Sequence, residues 1–203
     1  MIEIFFDYHT FNIRKDRVLD LCTKFKPLKF QWSSTARVHS DYDTLKAMAD
    51  AGARLFIVGF ESGDPQILKN IKKGATVEMA RTFMKNCRKV GIRVHGDFII
   101  GLPGETRETI QKTIEFAKEL DPETIQVSLA HAMPGTELHD SMAKEGFLKV
   151  EALADMSGHQ LPHIEYPHLS KSEMMAGVNQ FYDDYYFRRN LVCRVVKEAM
   201  RDT

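Results

Sequence analysis

The sequence lacks several features that mark particular classes of protein. Its 28 basic and 28 acidic residues cancel, so no surplus of positive charge indicates binding to nucleic acid. No apolar run approaches the roughly 20 residues that span a bilayer, and the first residues lack the basic region of a signal peptide. We therefore expect a cytoplasmic protein with no transmembrane segment and no nucleic-acid partner.

Cysteine is scarce, and its spacing provides no local metal-binding motif. Cys22, Cys87 and Cys193 lie far apart and form no CxxC or CxxxC pair. We expect all three to be small, buried, apolar side chains. The late histidines fit no zinc spacing either, so we predict no metal site among them: His159, His163 and His168.

What the sequence does contain is a repeated alternation of strand and helix patterns. Apolar runs predict five strands that begin near residues 2, 30, 55, 94 and 124, each followed by a helical pattern. This order is typical of right-handed parallel βα units, and a closed barrel would need eight strands. We therefore predict an α/β fold, a partial TIM-like parallel barrel over residues 1–147, with a loop and helical extension over residues 148–203.

Residues 94–106 change from a buried strand to a tight turn and then to a helix that begins at Thr106. The turn, 101–104, places two glycines around a proline, which lets the backbone approach a ligand closely. A phosphate-binding loop would need Gly-Lys-Ser/Thr, whereas Gly104 precedes Glu105 and Thr106. Two interpretations remain open, a ligand-binding turn and an ordinary strand-to-helix connection.

Polar residues follow the predicted strands, at the end where parallel barrels bind ligands. Glu61 directly follows a buried strand, and a carboxylate there can accept hydrogen bonds from both hydroxyls of a ribose. The alternative is a salt bridge at the rim, with Arg37 as the partner. Arg37 could instead bind a carboxylate through its planar guanidinium. His95 lies within a strand and is either an interior histidine or a proton-transfer group.

Three motifs in this order resemble the barrel of radical S-adenosylmethionine enzymes, particularly the class with an N-terminal cobalamin-binding domain. They are Val-Gly-Phe-Glu-Ser-Gly at 58–63, Phe-Ile-Ile-Gly-Leu-Pro-Gly-Glu-Thr at 98–106 and Met-Pro-Gly-Thr at 133–136. Later segments, 166–170 and 181–188, resemble the branch associated with hopanoid biosynthesis.

The resemblance implies a set of roles for individual residues. Glu61 would bind the ribose of S-adenosylmethionine and Arg37 its methionyl carboxylate. Further residues would shape the adenine and ribose pocket, namely Gly101, Pro103, Gly104, Glu105 and Pro134. The implied reaction is reductive cleavage of S-adenosylmethionine to a 5'-deoxyadenosyl radical that abstracts hydrogen from a small-molecule or lipid substrate, with a hopanoid as one candidate. The cofactor carries this chemistry, while the protein orients it and excludes water.

The sequence departs from the family pattern in two places. The family holds a [4Fe-4S] cluster through CxxxCxxC after its first barrel strand, and this chain has no such motif. We therefore expect the first strand, the cluster loop and any cobalamin domain to precede Met1, and this chain to be catalytically incompetent alone. Its partners would then be that missing segment or an electron donor. Many relatives also carry paired aspartates where this chain has Tyr8 and His9, which leaves the role of this loop open.

Two other interpretations remain. An exposed strand at the edge of an open barrel can pair with another chain, so the protein could be a non-catalytic α/β module that docks a partner. It could also be an unrelated barrel enzyme that uses Glu61 and His95 as acid and base.

Overall fold

The computed structural model describes residues 3–7, 10–149 and 161–200. Within these residues one five-stranded sheet runs in sequence order, and every neighbouring pair of strands is parallel. The strands are β1 (Glu3–Phe6), β2 (Gln31–Thr35), β3 (Ala53–Glu61), β4 (Arg93–Ile100) and β5 (Thr124–Leu129). The predicted open, five-stranded α/β barrel is confirmed. The predictions for Tyr8, His9 and His159 lie outside the described residues.

Eight α-helices lie among the described residues. They are α1 (Lys15–Phe25), α2 (Tyr42–Asp50), α3 (Pro65–Asn70), α4 (Val77–Val90), α5 (Arg107–Leu120), α6 (Glu137–Lys144), α7 (Lys171–Tyr186) and α8 (Arg189–Ala199). Asp41 caps α2 by accepting a hydrogen bond from the amide of Thr44. Thr106 and Ser170 each form a complete capping box. None of the described helices is both long and apolar enough to cross a bilayer.

One side of the sheet, the covered face, packs against the helices. Alternate residues of β3 and β4 on this side are buried: Phe56, Val58, Phe60, Val94, Gly96, Phe98 and Ile100. The ring of Phe98 lies 5.7 Å from that of Phe60 and 5.2 Å from that of Phe181 on α7. A Cβ at Gly96 would lie 3.2 Å from the Phe60 ring, so the glycine permits this close packing. These contacts form the core of the protein.

The other side of the sheet, the open face, is only partly buried. The intervening residues of β3, β4 and β5 lie here and include Ile57, Gly59, His95, Asp97, Ile99 and Ser128. All-parallel sheets usually have helices or other structure on both faces. The open face is therefore where space remains for a ligand or another part of the protein.

Helix α7 also covers the free edge of β5. The hydroxyl of Tyr186 accepts a hydrogen bond from the amide of Ile125 at 3.0 Å, and that of Tyr182 accepts one from Val127 at 2.9 Å. These hydroxyls satisfy donors that a further strand would otherwise take, so this edge is blocked. The opposite edge, β1, carries the exposed side chains of Ile4 and Phe5.

One prediction of burial is wrong. Cys22 and Cys87 are buried as expected, but Cys193 on α8 is exposed. The aromatic group on α7 belongs to the core or packs against it, whereas Phe187, at the end of that helix, is 78% exposed.

Candidate functional site

The predicted site residues follow successive strands of the sheet. Arg37 comes two residues after β2, Glu61 ends β3, Gly101 follows β4 and Pro134 lies in the turn after β5. Because the strands are parallel, all four positions fall at the carboxyl-terminal edge. This is the edge at which barrels of this kind bind ligands.

Glu61 has a strained backbone and a half-buried carboxylate. Its φ of +64° lies in the left-handed region, which side chains other than glycine rarely adopt. Its Oε1 lies 2.5 Å from Nζ of Lys73, on the connection between α3 and α4. The alternative interpretation of Glu61, a salt bridge at the rim, is therefore met in the structure, but with Lys73 rather than Arg37 as the partner. Strained residues held by their surroundings cluster at functional sites.

The side chain of Glu61 lies over Gly59, two residues earlier in β3. A Cβ at Gly59 would lie 2.3 Å from Oε1 of Glu61 and 3.1 Å from Nζ of Lys73. The missing side chain at position 59 thus makes room for the carboxylate and its lysine. No sequence pattern links Lys73 to Glu61, because the pair depends on how the α3–α4 connection folds over the sheet.

The loop after Glu61 is anchored to α5. The hydroxyl of Thr113 lies 3.1 Å from that of Ser62 and accepts a hydrogen bond from the amide of Gly63 at 3.0 Å. A Cβ at Gly63 would lie 2.5 Å from Cβ of Phe116, so only glycine allows the loop to approach the helix this closely. This anchoring explains how the strained conformation of Glu61 persists.

Asp64 connects this loop to α3. Its carboxylate caps the helix by accepting hydrogen bonds from the amides of Gln66 and Ile67, and Lys112 lies 2.9 Å away. Burial alone would raise the pKa of Asp64, but the hydrogen bonds from Lys112 and from the two amides outweigh it and lower the pKa. Asp64 therefore holds the loop as a charged cap.

The turn after β4 closes over the buried side chain of Glu105. Gly101 and Gly104 have φ values of +89° and +84°, so the two glycines provide the conformation that the turn requires. The amide of Gly101 donates a hydrogen bond to Oε2 of Glu105, whereas Oε1 is buried and has no hydrogen-bond partner among the described residues. Burial raises the pKa of Glu105 to about 7. Its side chain therefore supports the turn from inside.

The segment 166–174 holds the same turn from the other side. The Tyr166 hydroxyl donates to the carbonyl of Gly101 at 3.0 Å, and Nε2 of His168 lies 3.0 Å from the carbonyl oxygen of Glu105. A Cβ at Gly101 would lie 2.8 Å from the sulfur of Met174. The sequence showed no positioning role for these residues, because contacts across more than 60 positions leave no local pattern.

Arg37 and Pro134 lie at more exposed positions of this edge. The side chain of Asn12 binds the backbone of Arg37 on both sides, donating to its carbonyl at 2.7 Å and accepting from its amide at 2.8 Å. The Arg37 residue itself is exposed, and its guanidinium has no ion-pair partner in the described part of the chain. Pro134 is exposed in a turn that ends at Gly135, whose φ is +86°. Arg37 is thus positioned by its backbone, with its guanidinium free to bind an anion.

A [4Fe-4S] cluster does not fit the cysteines of this chain. Cys22 and Cys87 are buried on separate helices, and burial raises the pKa of Cys22 to about 11 and that of Cys87 further. In the described segments no three cysteine, histidine or acidic residues are grouped so as to hold a metal ion. A cluster needs thiolate ligands close together, and the described residues do not provide them.

The fold and the site together define a class of protein. It is an open parallel βα barrel with an acidic residue and a glycine-rich turn at the carboxyl edge of its sheet. Residues 4–117, more than half of the chain, match the profile of the Radical SAM superfamily. The chain therefore belongs to the radical SAM superfamily.

The chain is also similar to individual relatives and, in its fold, to a solved structure. The chain is 30% identical to an uncharacterised methyltransferase of Pyrococcus horikoshii, over 98% of this chain and 46% of the relative. It is also 30% identical to cytidylyl-2-hydroxyethylphosphonate methyltransferase of Streptomyces wedmorensis, over 86% of this chain and 35% of the relative. The fold matches the radical S-adenosylmethionine methyltransferase TsrM of Kitasatospora setae with a TM-score of 0.74 and 18% identity, covering 92% of this chain and 44% of TsrM. The chain thus spans less than half of each.

Proposed function

We propose that this chain is the nucleoside-binding part of a radical S-adenosylmethionine enzyme that modifies a small molecule. Membership of the superfamily and the two similar methyltransferases support this proposal. The observation that carries it is Glu61, a carboxylate fixed in a left-handed conformation at the carboxyl edge of the sheet. A strained backbone costs free energy, and residues held in this way cluster at functional sites. Binding a ribose is a function that accounts for the strain at Glu61.

Each predicted site residue then takes a specific part. The carboxylate of Glu61 accepts hydrogen bonds from the ribose hydroxyls, and Lys73 pairs with the same carboxylate. Arg37 binds the methionyl carboxylate. The backbone of the turn 101–104, with Pro103, lies against the adenine, and Pro134 borders the same pocket. Glu105 acts on this pocket indirectly, by holding the amide of Gly101.

The redox groups must be held by residues outside this chain. A reduced cluster bound beside S-adenosylmethionine would supply the one electron that cleaves it to methionine and a 5'-deoxyadenosyl radical, and any cobalamin domain would likewise lie outside these residues. The chain alone is therefore catalytically incompetent. Anaerobic reconstitution with iron and sulfide should give a protein that does not cleave S-adenosylmethionine, and cleavage by a stable cluster would contradict this.

The segments that resemble the hopanoid branch have structural roles in this protein. Tyr166 and His168 hold the turn at Gly101, while Tyr182 and Tyr186 cover β5. These residues therefore give a lipid substrate no support of their own. We favour a small-molecule substrate. A hopanoid is the candidate substrate that the resemblance named.

Binding of S-adenosylhomocysteine and 5'-deoxyadenosine tests the proposal by isothermal titration calorimetry. Glu61→Gln should weaken both at least tenfold, because hydrogen bonds to a charged group contribute about 1.5–3 kcal/mol. Glu137→Gln is the matched control, since Glu137 forms an exposed pair with Lys72 near the same edge. No binding by the unmodified chain would contradict the proposal and favour a docking module.

A further inference from the structure

His163 links the segment 161–169 to the turn that follows β5. The residue is 7% exposed, and its Nε2 accepts a hydrogen bond from the amide of Ala132 at 3.0 Å. Ala132 is itself buried and lies two residues before Pro134. On its other side, the backbone of the segment pairs with the chain after α6, where the amide of Lys149 donates to the carbonyl of His163 at 2.7 Å. The imidazole of His163 therefore joins this segment to the carboxyl edge of the sheet.

The hydrogen bond from Ala132 requires a neutral ring. A ring nitrogen that accepts from an amide carries no proton, so the proton of the neutral imidazole lies on Nδ1. Nδ1 is buried and has no hydrogen-bond partner among the described residues. A second proton would point an N–H from Nε2 at the N–H of Ala132. The carbonyl oxygen of Ala132 lies 3.4 Å from Nε2, which is beyond a good hydrogen-bond distance. Protonation therefore replaces a hydrogen bond with two opposed donors.

The groups that surround the ring also oppose a positive charge on it. The ring of His131 lies 4.6 Å from that of His163, and the two planes are tilted by 37°. His139 on α6 and Lys171 on α7 act on the same ring, and all three neighbours are bases. Burial above all, together with these bases, lowers the pKa of His163 below its ordinary value of 6.5, although the hydrogen bond to the Ala132 backbone raises it in part. The packed segment therefore accommodates the neutral ring.

The same segment supports the turn at Gly101. The Tyr166 hydroxyl donates to the carbonyl of Gly101, and Nε2 of His168 lies near the carbonyl oxygen of Glu105. These contacts follow His163 by three and five residues. Release of the segment at His163 would thus withdraw support from the turn that borders the proposed nucleoside site.

We infer that His163 is a pH-sensitive link: its neutral ring holds the segment 161–169 against the turn after β5, and its protonated ring releases the segment. The inference goes beyond the proposed function, because both ends of the link belong to this chain and no ligand is needed. In the released segment the ring regains water and titrates near 6.5. The packed segment is therefore fully favoured above pH 6.5. Each pH unit below 6.5 favours release about tenfold more, until the packed ring also takes up a proton.

Amide hydrogen exchange followed by NMR tests this link in the full 203-residue chain. The reporters are the amides of Ala132, Tyr166 and Leu169, each of which is hydrogen-bonded in the packed segment. His163→Gln is the comparison, because its side-chain carbonyl can accept from Ala132 but does not titrate. After correction for the intrinsic pH dependence of exchange, protection should fall between pH 7.5 and pH 5.5 by up to about tenfold more in the unmodified protein than in the variant. Parallel profiles for the two proteins would overturn the inference.

The comparison of the two proteins removes the effect of other titrations. Glu105 titrates over the same range and acts in the opposite direction, but it is present in both proteins. His139→Gln is the matched control, at a half-buried histidine that lies beside Asp140 on α6. This variant should keep the pH dependence of the unmodified protein. Loss of the dependence in His139→Gln would contradict the assignment to His163.

Titration of the ring itself gives a second measurement that needs no variant. Long-range ¹⁵N NMR should show the proton of His163 on Nδ1 at pH 7.5 and a pKa below 6.5. A proton on Nε2 at pH 7.5, or a pKa above 6.5, would overturn the inference.

S-adenosylhomocysteine separates this inference from the proposed function. If the nucleoside binds against the turn at Gly101, saturating S-adenosylhomocysteine should slow exchange at Tyr166, because a ligand stabilises the form that binds it. If S-adenosylhomocysteine does not bind, the proposed function is wrong, while a difference between the pH profiles of the free proteins still supports the link at His163.

Discussion

The two faces of one sheet differ in chemistry although they alternate residue by residue. Phe98 is fully buried between Phe60 and Phe181, whereas its neighbour Asp97 is partly exposed on the open face. The covered face makes the fold stable, because apolar burial there is nearly complete. The open face contributes little to the free energy of unfolding. Polar side chains that bind a ligand can therefore lie there.

The largest difference between the faces should appear at these two neighbours. Phe98→Ala removes a fully buried ring and should lower the free energy of unfolding by about 3–5 kcal/mol. Asp97→Asn should change it by at most about 0.5 kcal/mol. Urea denaturation of both variants checks this, and similar losses would contradict the division between the two faces.

Glu105 should make stability depend on pH near neutrality. Its pKa is raised from 4.5 to about 7 in the folded state, so its stabilising contribution is complete below the unfolded pKa and is lost as pH rises through 7. This amounts to about 3 kcal/mol between pH 4 and pH 8.

Glu105→Gln removes this titration. Urea denaturation at pH 5, 6, 7 and 8 measures the free energy of unfolding of both proteins. As the pH rises, this free energy should fall less for the variant than for the unmodified protein, by up to the amount that Glu105 contributes. Parallel pH profiles for the two proteins would show that Glu105 is not responsible.

The strain at Glu61 should appear as a difference between two variants. Glu61→Gly and Glu61→Ala both remove the carboxylate and should abolish S-adenosylhomocysteine binding. Because glycine adopts a left-handed conformation without a Cβ clash, the glycine variant should be more stable by about 1–2 kcal/mol. Equal melting behaviour would mean that the conformation stores no strain.

The smallest expected effect concerns two tyrosine hydroxyls, of the buried Tyr166 and the half-buried Tyr182, that bind the backbone at different places. Tyr166→Phe and Tyr182→Phe should each cost about 1 kcal/mol, because each loses one hydrogen bond. Only Tyr166 contacts the turn at Gly101, so only its variant should also weaken S-adenosylhomocysteine binding. Calorimetry that shows equal affinity in both variants would remove Tyr166 from the site.

Local patterns allowed the sequence to predict much of the fold. The start of a helix at Thr106 and the alternation of strands and helices depend on residues a few positions apart. The positions of Arg37, Glu61 and Gly101 at one edge also followed, because parallel strands end together. These predictions required no knowledge of long-range contacts.

The side-chain partners within the site could not be predicted in the same way. Lys73 pairs with Glu61 because the α3–α4 connection folds over the sheet, and Tyr166 reaches Gly101 across 65 positions. The burial of Glu105 beneath its own turn also depends on the segment that covers it. Motif and spacing contain no information about such contacts, which arise only when the elements pack together.

A crystal structure of this chain soaked with S-adenosylhomocysteine tests the central claim most directly. We predict that the ribose hydroxyls lie within hydrogen-bond distance of the Glu61 carboxylate and that the adenine lies against the turn at Gly101. Electron density for the nucleoside at any other position, with Glu61 bound only to Lys73, would contradict the account.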